Sequence, residues 1–190
     1  MRVADWESSL NPAIIAGFPE RIAAMGAQIV DSFEFCRSAG QASGTTPVAE
    51  FKRLCADLAD NSGELRWSFQ GGLHADGDPQ LVMDVAGEVT LVCQRCLMPY
   101  TQALQSRSTL VLAADEAQAD EAEERIDDDS IDVIVGSRSM DLMVLVEDEA
   151  LLSLPLSPRH ETCPGVAPAP VDDKPESPFA ALGQLRKPKQ

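Results

Sequence analysis

The sequence predicts an α+β fold in which one antiparallel sheet is covered by two or three helices. Apolar and polar side chains alternate along residues 81–93, which is the period of a half-buried strand. Two other segments, 47–60 and 140–152, carry apolar residues at helical spacing. We expect these two helices to lie on the apolar face of the sheet.

Three strands are predicted in the middle of the chain. Residues 65–69 alternate between apolar and polar side chains, and an Asp-Gly turn at 76–77 closes an antiparallel hairpin onto the next strand. That second strand places Cys93 on its apolar face and leads directly into a Cys-x-x-Cys turn. Residues 104–112 form the third strand, and residues 131–135 form a later, short one.

The N-terminal quarter gives weaker patterns. Residues 19–25 are expected to begin a short helix, with a proline in its first turn, and Ile29, Phe33 and Phe35 are expected to form a strand. Residues 40–46 resemble a loop in composition. Thr46 then predicts an N-cap for the helix over 47–60.

Two segments with unusual composition follow the third strand. Residues 115–132 hold ten carboxylates and one arginine, and such a block predicts an acidic insertion that is disordered or loosely helical. In the helix predicted over 140–152, the acidic run 147–149 marks the solvated side, and Pro155 follows its end.

These patterns divide the chain into a domain over residues 1–163 and a proline-rich linker with a short motif over residues 164–190. In the motif, Phe179, Leu182 and Leu185 share one helical face, and a basic cluster follows them. A motif of this kind either docks on its own domain or binds a partner, and the sequence leaves both alternatives open.

The net charge restricts the classes of function. The chain carries 15 basic and 31 acidic residues, a formal net charge of −16. Tight binding of nucleic acid requires a basic surface, so direct contact with RNA is expected to be weak at most, whereas basic proteins are suitable partners. No apolar run is long enough to span a membrane, no signal peptide is recognised, and the five cysteines are an odd number, so we expect a reducing cytoplasm.

Four side chains have the stoichiometry of a tetrahedral zinc site. The first pair is Cys93 and Cys96, and the second pair is His160 and Cys163. His160 lies 64 residues after Cys96. One structural zinc ion would leave a net charge of −1 on this set, which Arg95 and Arg159 would offset.

Two alternatives to zinc remain open at this stage. A Cys-x-x-Cys thiol oxidoreductase or redox sensor would place the first thiolate at a helix N-terminus, whereas the pattern here is an antiparallel hairpin. In the other alternative, the cysteines are partly buried thiols without a ligand. No catalytic triad, phosphate-binding loop or metalloprotease motif is found, so neither an enzyme nor a small-molecule substrate is expected.

Several motifs occur together in one order. They are Arg53-Leu54, the strand and turn over 89–97, the helix over 141–152 with the following residues 154–160, and the tail over 177–182. In this order they resemble the YceD family of large ribosomal RNA subunit accumulation proteins. The resemblance implies a cytoplasmic, non-enzymatic role in the synthesis, processing or stability of 23S rRNA, and the acidic composition adds ribosomal or rRNA-processing proteins as the expected partners. A metal-stabilised adaptor unrelated to ribosomes is a further alternative.

Overall fold

The computed structural model describes residues 28–126, 128 and 130–164, which form an α+β domain. A five-stranded sheet provides its framework, and a two-stranded sheet lies beside it. The elements in chain order are β1 (Ile29–Val30), α1 (Ser32–Arg37), β2 (Gln41–Pro47), a 3-10 turn (Val48–Glu50), α2 (Lys52–Asp57), β3 (Glu64–Leu73), β4 (Pro79–Val92), β5 (Pro99–Ala113), α3 (Glu116–Arg125), β6 (Ile131–Val135), β7 (Met140–Asp141) and α4 (Leu142–Leu152).

The large sheet has the strand order β2-β3-β4-β5-β6. The first four strands are antiparallel neighbours, and β6 pairs with β5 in parallel. Helix α3 provides the crossover that a parallel pair requires. The small sheet joins β1 to β7 in antiparallel orientation. The fold class is therefore confirmed, with one parallel pair at the sheet edge.

The main core lies on one face of this sheet, beneath α2 and α4. Trp67 and Val85 are register partners on β3 and β4, and both are 2% exposed. Leu54 of α2 and Val146 of α4 are completely buried against the same cluster. The alternation that predicted β4 is confirmed, because all its odd-numbered apolar residues from Leu81 to Cys93 are buried.

The N-terminal predictions require two corrections. Phe33 and Phe35 belong to helix α1, because the Asp31 side chain accepts the N–H groups of Phe33 and Glu34 and so starts a helix there. Residues 40–46 are mostly strand β2, not a loop. Their small side chains have a packing reason, since a Cβ on Gly44 would lie 2.7 Å from the Trp67 ring.

The helix predicted over 47–60 is interrupted. It consists of the 3-10 turn and the short helix α2, with Phe51 in extended conformation between them. Thr46 does not cap it, and its hydroxyl instead accepts the indole N–H of Trp67 at 2.9 Å. The cap comes from α4: the Glu147 carboxylate accepts the N–H groups of Arg53 and Leu54 at 2.7 and 3.2 Å.

Helix α4 therefore does not direct its whole acidic run to solvent. The Glu147 side chain is only 12% exposed, and Glu149 is buried and accepts a hydrogen bond from the Ser106 hydroxyl. Asp148 alone remains half exposed. The helix also begins slightly later than predicted, because Asp141 is its N-cap.

The acidic segment contains an ordered helix. Asp115 caps α3 by accepting the N–H of Gln118, and Ala119 and Ala122 are buried against the sheet. The helical alternative is thus correct for Glu116–Arg125, and the disordered alternative is wrong there. The boundary at residue 163 stays a prediction, and the helix predicted over 19–25 and the motif over 179–185 lie outside the described residues.

Candidate metal centre

The turn between β4 and β5 holds the first two candidate ligands. The Cys93 N–H donates to the Met98 carbonyl at 3.0 Å, and the Leu97 N–H donates to the Cys93 carbonyl at 2.8 Å. Leu97 has a φ of 61°, the left-handed conformation that a tight turn after Cys96 requires. The hairpin thus holds both sulfurs on a short, hydrogen-bonded turn.

The segment after α4 brings the other two ligands back to this turn. The Gln94 N–H donates to the Pro158 carbonyl at 2.8 Å, and the Ser157 hydroxyl donates to the Gln94 side-chain oxygen at 3.1 Å. The His160 ring packs on Tyr100, with 5.1 Å between ring centroids. Residues far apart in the chain are therefore fixed against each other by backbone and ring contacts.

The four predicted ligands lie together in one cluster. One potential ligand atom from each of Cys93, Cys96, His160 and Cys163 lies within 4.8 Å of all the others. The sulfurs of Cys93 and Cys163 are 3.7 Å apart, and Cys96 Sγ is 3.3 Å from His160 Nδ1. Cys93 and Cys163 are buried. Three sulfurs and one imidazole nitrogen at these distances could hold a metal ion.

The pKa values of two thiols in the cluster, Cys93 and Cys96, are shifted from their ordinary value. Burial by itself opposes ionisation of Cys93, but the N–H groups of Cys96, His160 and Arg95 favour the thiolate and lower the pKa of Cys93 to about 5. For Cys96 the N–H of Met98 favours the thiolate, yet burial and the neighbouring Cys93 and Cys163 outweigh it and raise the pKa. Ionising the neighbouring thiols together would crowd negative charge in this cluster, and a bound cation would offset that charge.

Arg95 supplies positive charge to the cluster, as the sequence predicted. Its Nε donates to Cys163 Sγ at 2.9 Å, and this bond together with the charge of Cys163 raises the pKa of Arg95. Arg159 instead donates to the Ser157 hydroxyl at 3.0 Å. Among the contacts of the described residues, Arg95 is thus the arginine that directly offsets thiolate charge.

The contacts that position the ligands were not predictable from the sequence. Tyr100, Gln94 and Ser157 hold His160 and its segment in place, but no motif marks these residues as partners across some 60 positions. His74, the second histidine, lies in the β3–β4 turn beside Asp76 and is not part of the cluster.

The thiol oxidoreductase alternative finds no support in this geometry. Cys93 follows the end of an antiparallel strand, and the turn leads into β5 rather than into a helix. The lowered pKa of Cys93 does not distinguish the two alternatives, because the thiolate is both the redox nucleophile and the metal ligand.

Comparison with known proteins decides the family. The model of the family described as "Large ribosomal RNA subunit accumulation protein YceD" matches residues 81–186, more than half of the chain. The chain belongs to the YceD family. The match begins in β4, so it includes the whole cysteine turn, helix α4 and all four candidate ligands.

A curated relative of the YceD family supports the same assignment. The chain is 36% identical to the Large ribosomal RNA subunit accumulation protein YceD of Haemophilus influenzae over 124 residues, which cover 58% of this chain and 69% of the relative. No solved structure matches the chain. In the part of the chain that the structure describes, no helix is both long and apolar enough to cross a membrane.

Proposed function

We propose that this chain is a non-enzymatic accessory factor of ribosome assembly that acts in the cytoplasm and supports the accumulation of 23S rRNA through contacts with proteins. The observation that carries the proposal is the family match over residues 81–186. The name of the family and of the Haemophilus influenzae relative refers to accumulation of the large ribosomal RNA rather than to a catalysed reaction.

The charges favour contact with proteins over contact with RNA. Binding to rRNA phosphates requires available Lys and Arg side chains. Four arginines of the domain instead pair with carboxylates of the same chain, and the net charge is −16. Such a surface suits basic ribosomal or rRNA-processing proteins. The four arginines are Arg37, Arg53, Arg107 and Arg125.

We further propose that the metal is one structural zinc ion bound by Cys93, Cys96, His160 and Cys163. Zn–S bonds of about 2.3 Å in a tetrahedron place two sulfurs about 3.8 Å apart, and the Cys93 and Cys163 sulfurs are 3.7 Å apart. Four protein ligands would complete the coordination shell and leave no position for a substrate or a catalytic water. This site is therefore suited to holding the hairpin and the 157–163 segment together.

Arg95→Gln is expected to weaken zinc binding by roughly 10- to 100-fold, the usual effect of losing a partner of a metal ligand. The substitution removes the guanidinium that bonds Cys163 Sγ while all four ligands remain. Competition with a chromophoric zinc chelator measures the affinity. Arg107→Gln is the control, because Arg107 pairs with Asp84 away from the cluster. An unchanged affinity in Arg95→Gln would show that this bond does not support the site.

The proposed function is tested in cells of the source organism that lack this chain. We expect less 23S rRNA relative to 16S rRNA, with restoration by the wild-type gene. In the same strain, tagged protein should co-purify basic ribosomal or processing proteins after nuclease treatment. A nanomolar complex of the purified chain with naked 23S rRNA at physiological salt would contradict the protein-contact mechanism, and unchanged rRNA levels would contradict the function itself.

A further inference from the structure

A groove of about 540 Å³ lies between helix α4 and the edge strand β6, away from the metal cluster. Its apolar lining comes from both elements and from the sheet beneath them. Leu152 of α4 lines this groove and is nevertheless 81% exposed. Other apolar residues of the lining are Met83, Leu110, Ile131, Ile134 and Leu145.

The rim of the groove is acidic. Five carboxylates line it, and no Lys, Arg or His is among its described lining residues. Three of the five interact within the domain. Asp148 pairs with Arg53, Glu149 accepts from Ser106, and Asp128 accepts from Ser130. Glu123 and Asp132 are exposed at the groove. An occupant therefore needs an apolar face followed by positive charge.

We infer that this groove binds residues 178–189 of the same chain, with Phe179, Leu182 and Leu185 on its apolar lining and the following basic residues at its acidic rim. The three apolar residues recur at helical spacing, as in peptides that bind apolar grooves. Arg186, Lys187 and Lys189 come directly after them. The segment thus carries the two features that the groove requires, in one short stretch.

The length of the intervening chain permits this contact. Fourteen residues, 165–178, separate the described domain from the apolar motif. Rich in proline, they can extend over roughly 45 Å, whereas the radius of gyration of a domain of this size is about 14 Å. Because the motif is tethered to the domain, its effective concentration at the groove is on the order of millimolar, and even a weak intrinsic affinity is enough to keep it bound.

Carbodiimide crosslinking of the full-length chain tests the inference, because it joins a lysine to a carboxylate in contact without an added linker. We expect Lys187 or Lys189 to join Glu123, Asp128 or Asp132 in the monomeric product, as identified by mass spectrometry. A mixture of ¹⁴N- and ¹⁵N-labelled protein distinguishes links within one chain from links between two. Crosslinks between mixed isotopes would overturn docking in cis and assign the contact to a second copy.

Matched substitutions test whether the crosslinks depend on apolar contact between the tail and the groove. Leu152→Asp places a charge on the exposed groove residue, and Leu182→Asp does so on the tail; each is expected to lower the crosslink yield about tenfold, as loss of a central apolar contact does. Leu156→Asp is the control, because Leu156 is fully exposed and does not line the groove.

Three other results would overturn the inference: equal yields in all variants, links spread over carboxylates outside the groove, or no tail link in the purified chain. The last result would leave the groove to a basic segment of a partner protein. Circular dichroism verifies that the variants fold. None of these measurements depends on zinc or on rRNA. A result that overturns the groove inference would therefore leave the proposed function unaffected.

Discussion

Cys163→Ser is expected to release the proposed zinc ion and to lower the melting temperature by roughly 10 °C or more. Loss of a structural metal belongs to the few changes that cost more than about 4 kcal/mol, and each kcal/mol corresponds to about 2–4 °C for a chain of this size. Cys163 is the last of the four proposed ligands and is buried, with its sulfur 3.7 Å from that of Cys93. Without it, three of the proposed ligands remain and Arg95 loses its sulfur partner.

Cys55→Ser is the matched control for this substitution. The Cys55 thiol is half-buried, lies outside the cluster and donates to the Val48 carbonyl at 3.2 Å, a hydrogen bond that serine can also make. We expect this variant to retain the metal and to melt within a few degrees of the wild type. Equal metal content and equal melting temperatures in the two variants, measured by elemental analysis and calorimetry, would show that Cys163 is not a ligand.

Glu147→Ala is expected to destabilise the domain by about 2 kcal/mol, since loss of a helix cap costs about 0.5–2 kcal/mol and the N–H of the buried residue Leu54 loses its hydrogen bond. The Glu147 carboxylate accepts the N–H groups of Arg53 and Leu54 and also pairs with the Arg53 guanidinium at 2.9 Å. It therefore caps α2 and ties α2 to α4. Urea denaturation measures the free energy of unfolding.

The neighbouring Asp148 gives the control. Asp148 pairs with the same arginine at 2.6 Å, but its side chain is 44% exposed and caps no helix. Exposed ion pairs contribute about 0–1 kcal/mol, so Asp148→Ala should be nearly neutral. If both alanine variants cost the same, the capping role assigned to Glu147 would be wrong.

The Glu147 interaction also has a defined pH dependence. Burial opposes ionisation of this carboxyl, but the bonds from the Arg53 side chain and from the N–H groups of Arg53 and Leu54 outweigh it and lower the pKa. A lowered pKa in the folded state means that the stabilisation is complete above the unfolded-state pKa and is lost as the pH falls through the folded-state pKa. The difference in stability between wild type and Glu147→Gln should therefore be present at pH 7 and disappear at strongly acidic pH. Urea denaturation across this pH range measures the difference. A difference that stays constant with pH would contradict the role assigned to the ionised Glu147 carboxylate.

The sheet was predictable wherever periodicity and turn chemistry agreed. The alternation that ends at Cys93 and the Asp76-Gly77 turn each predicted a feature that the structure confirms. Strand β2 was not predictable, because its Gly and Ser residues are typical of loops and its pairing with β3 becomes favourable only once Trp67 packs over Gly44. Long-range packing overrode local composition at this strand.

In helix α4 and in the metal cluster, too, long-range contacts decided what local sequence patterns could not. The acidic run on α4 indicated a solvated side, yet Glu147 is only 12% exposed, because its carboxylate accepts two N–H groups at the start of α2, some 90 residues away. For the cluster, residue type and Cys-x-x-Cys spacing suggested a ligand set, but the meeting of Cys96 with His160 depends on the Gln94–Pro158 and Tyr100–His160 contacts. Contacts of that range leave no periodic signal in the sequence.

Elemental analysis of the untagged protein, with thiol counting before and after chelation, tests the metal centre most directly. We expect one zinc ion per chain, and its removal should expose the thiols of Cys93, Cys96 and Cys163 and unfold or strongly destabilise the domain. Protein without bound metal, whose thiols react equally with and without chelator, would contradict the account and leave these cysteines with packing roles only.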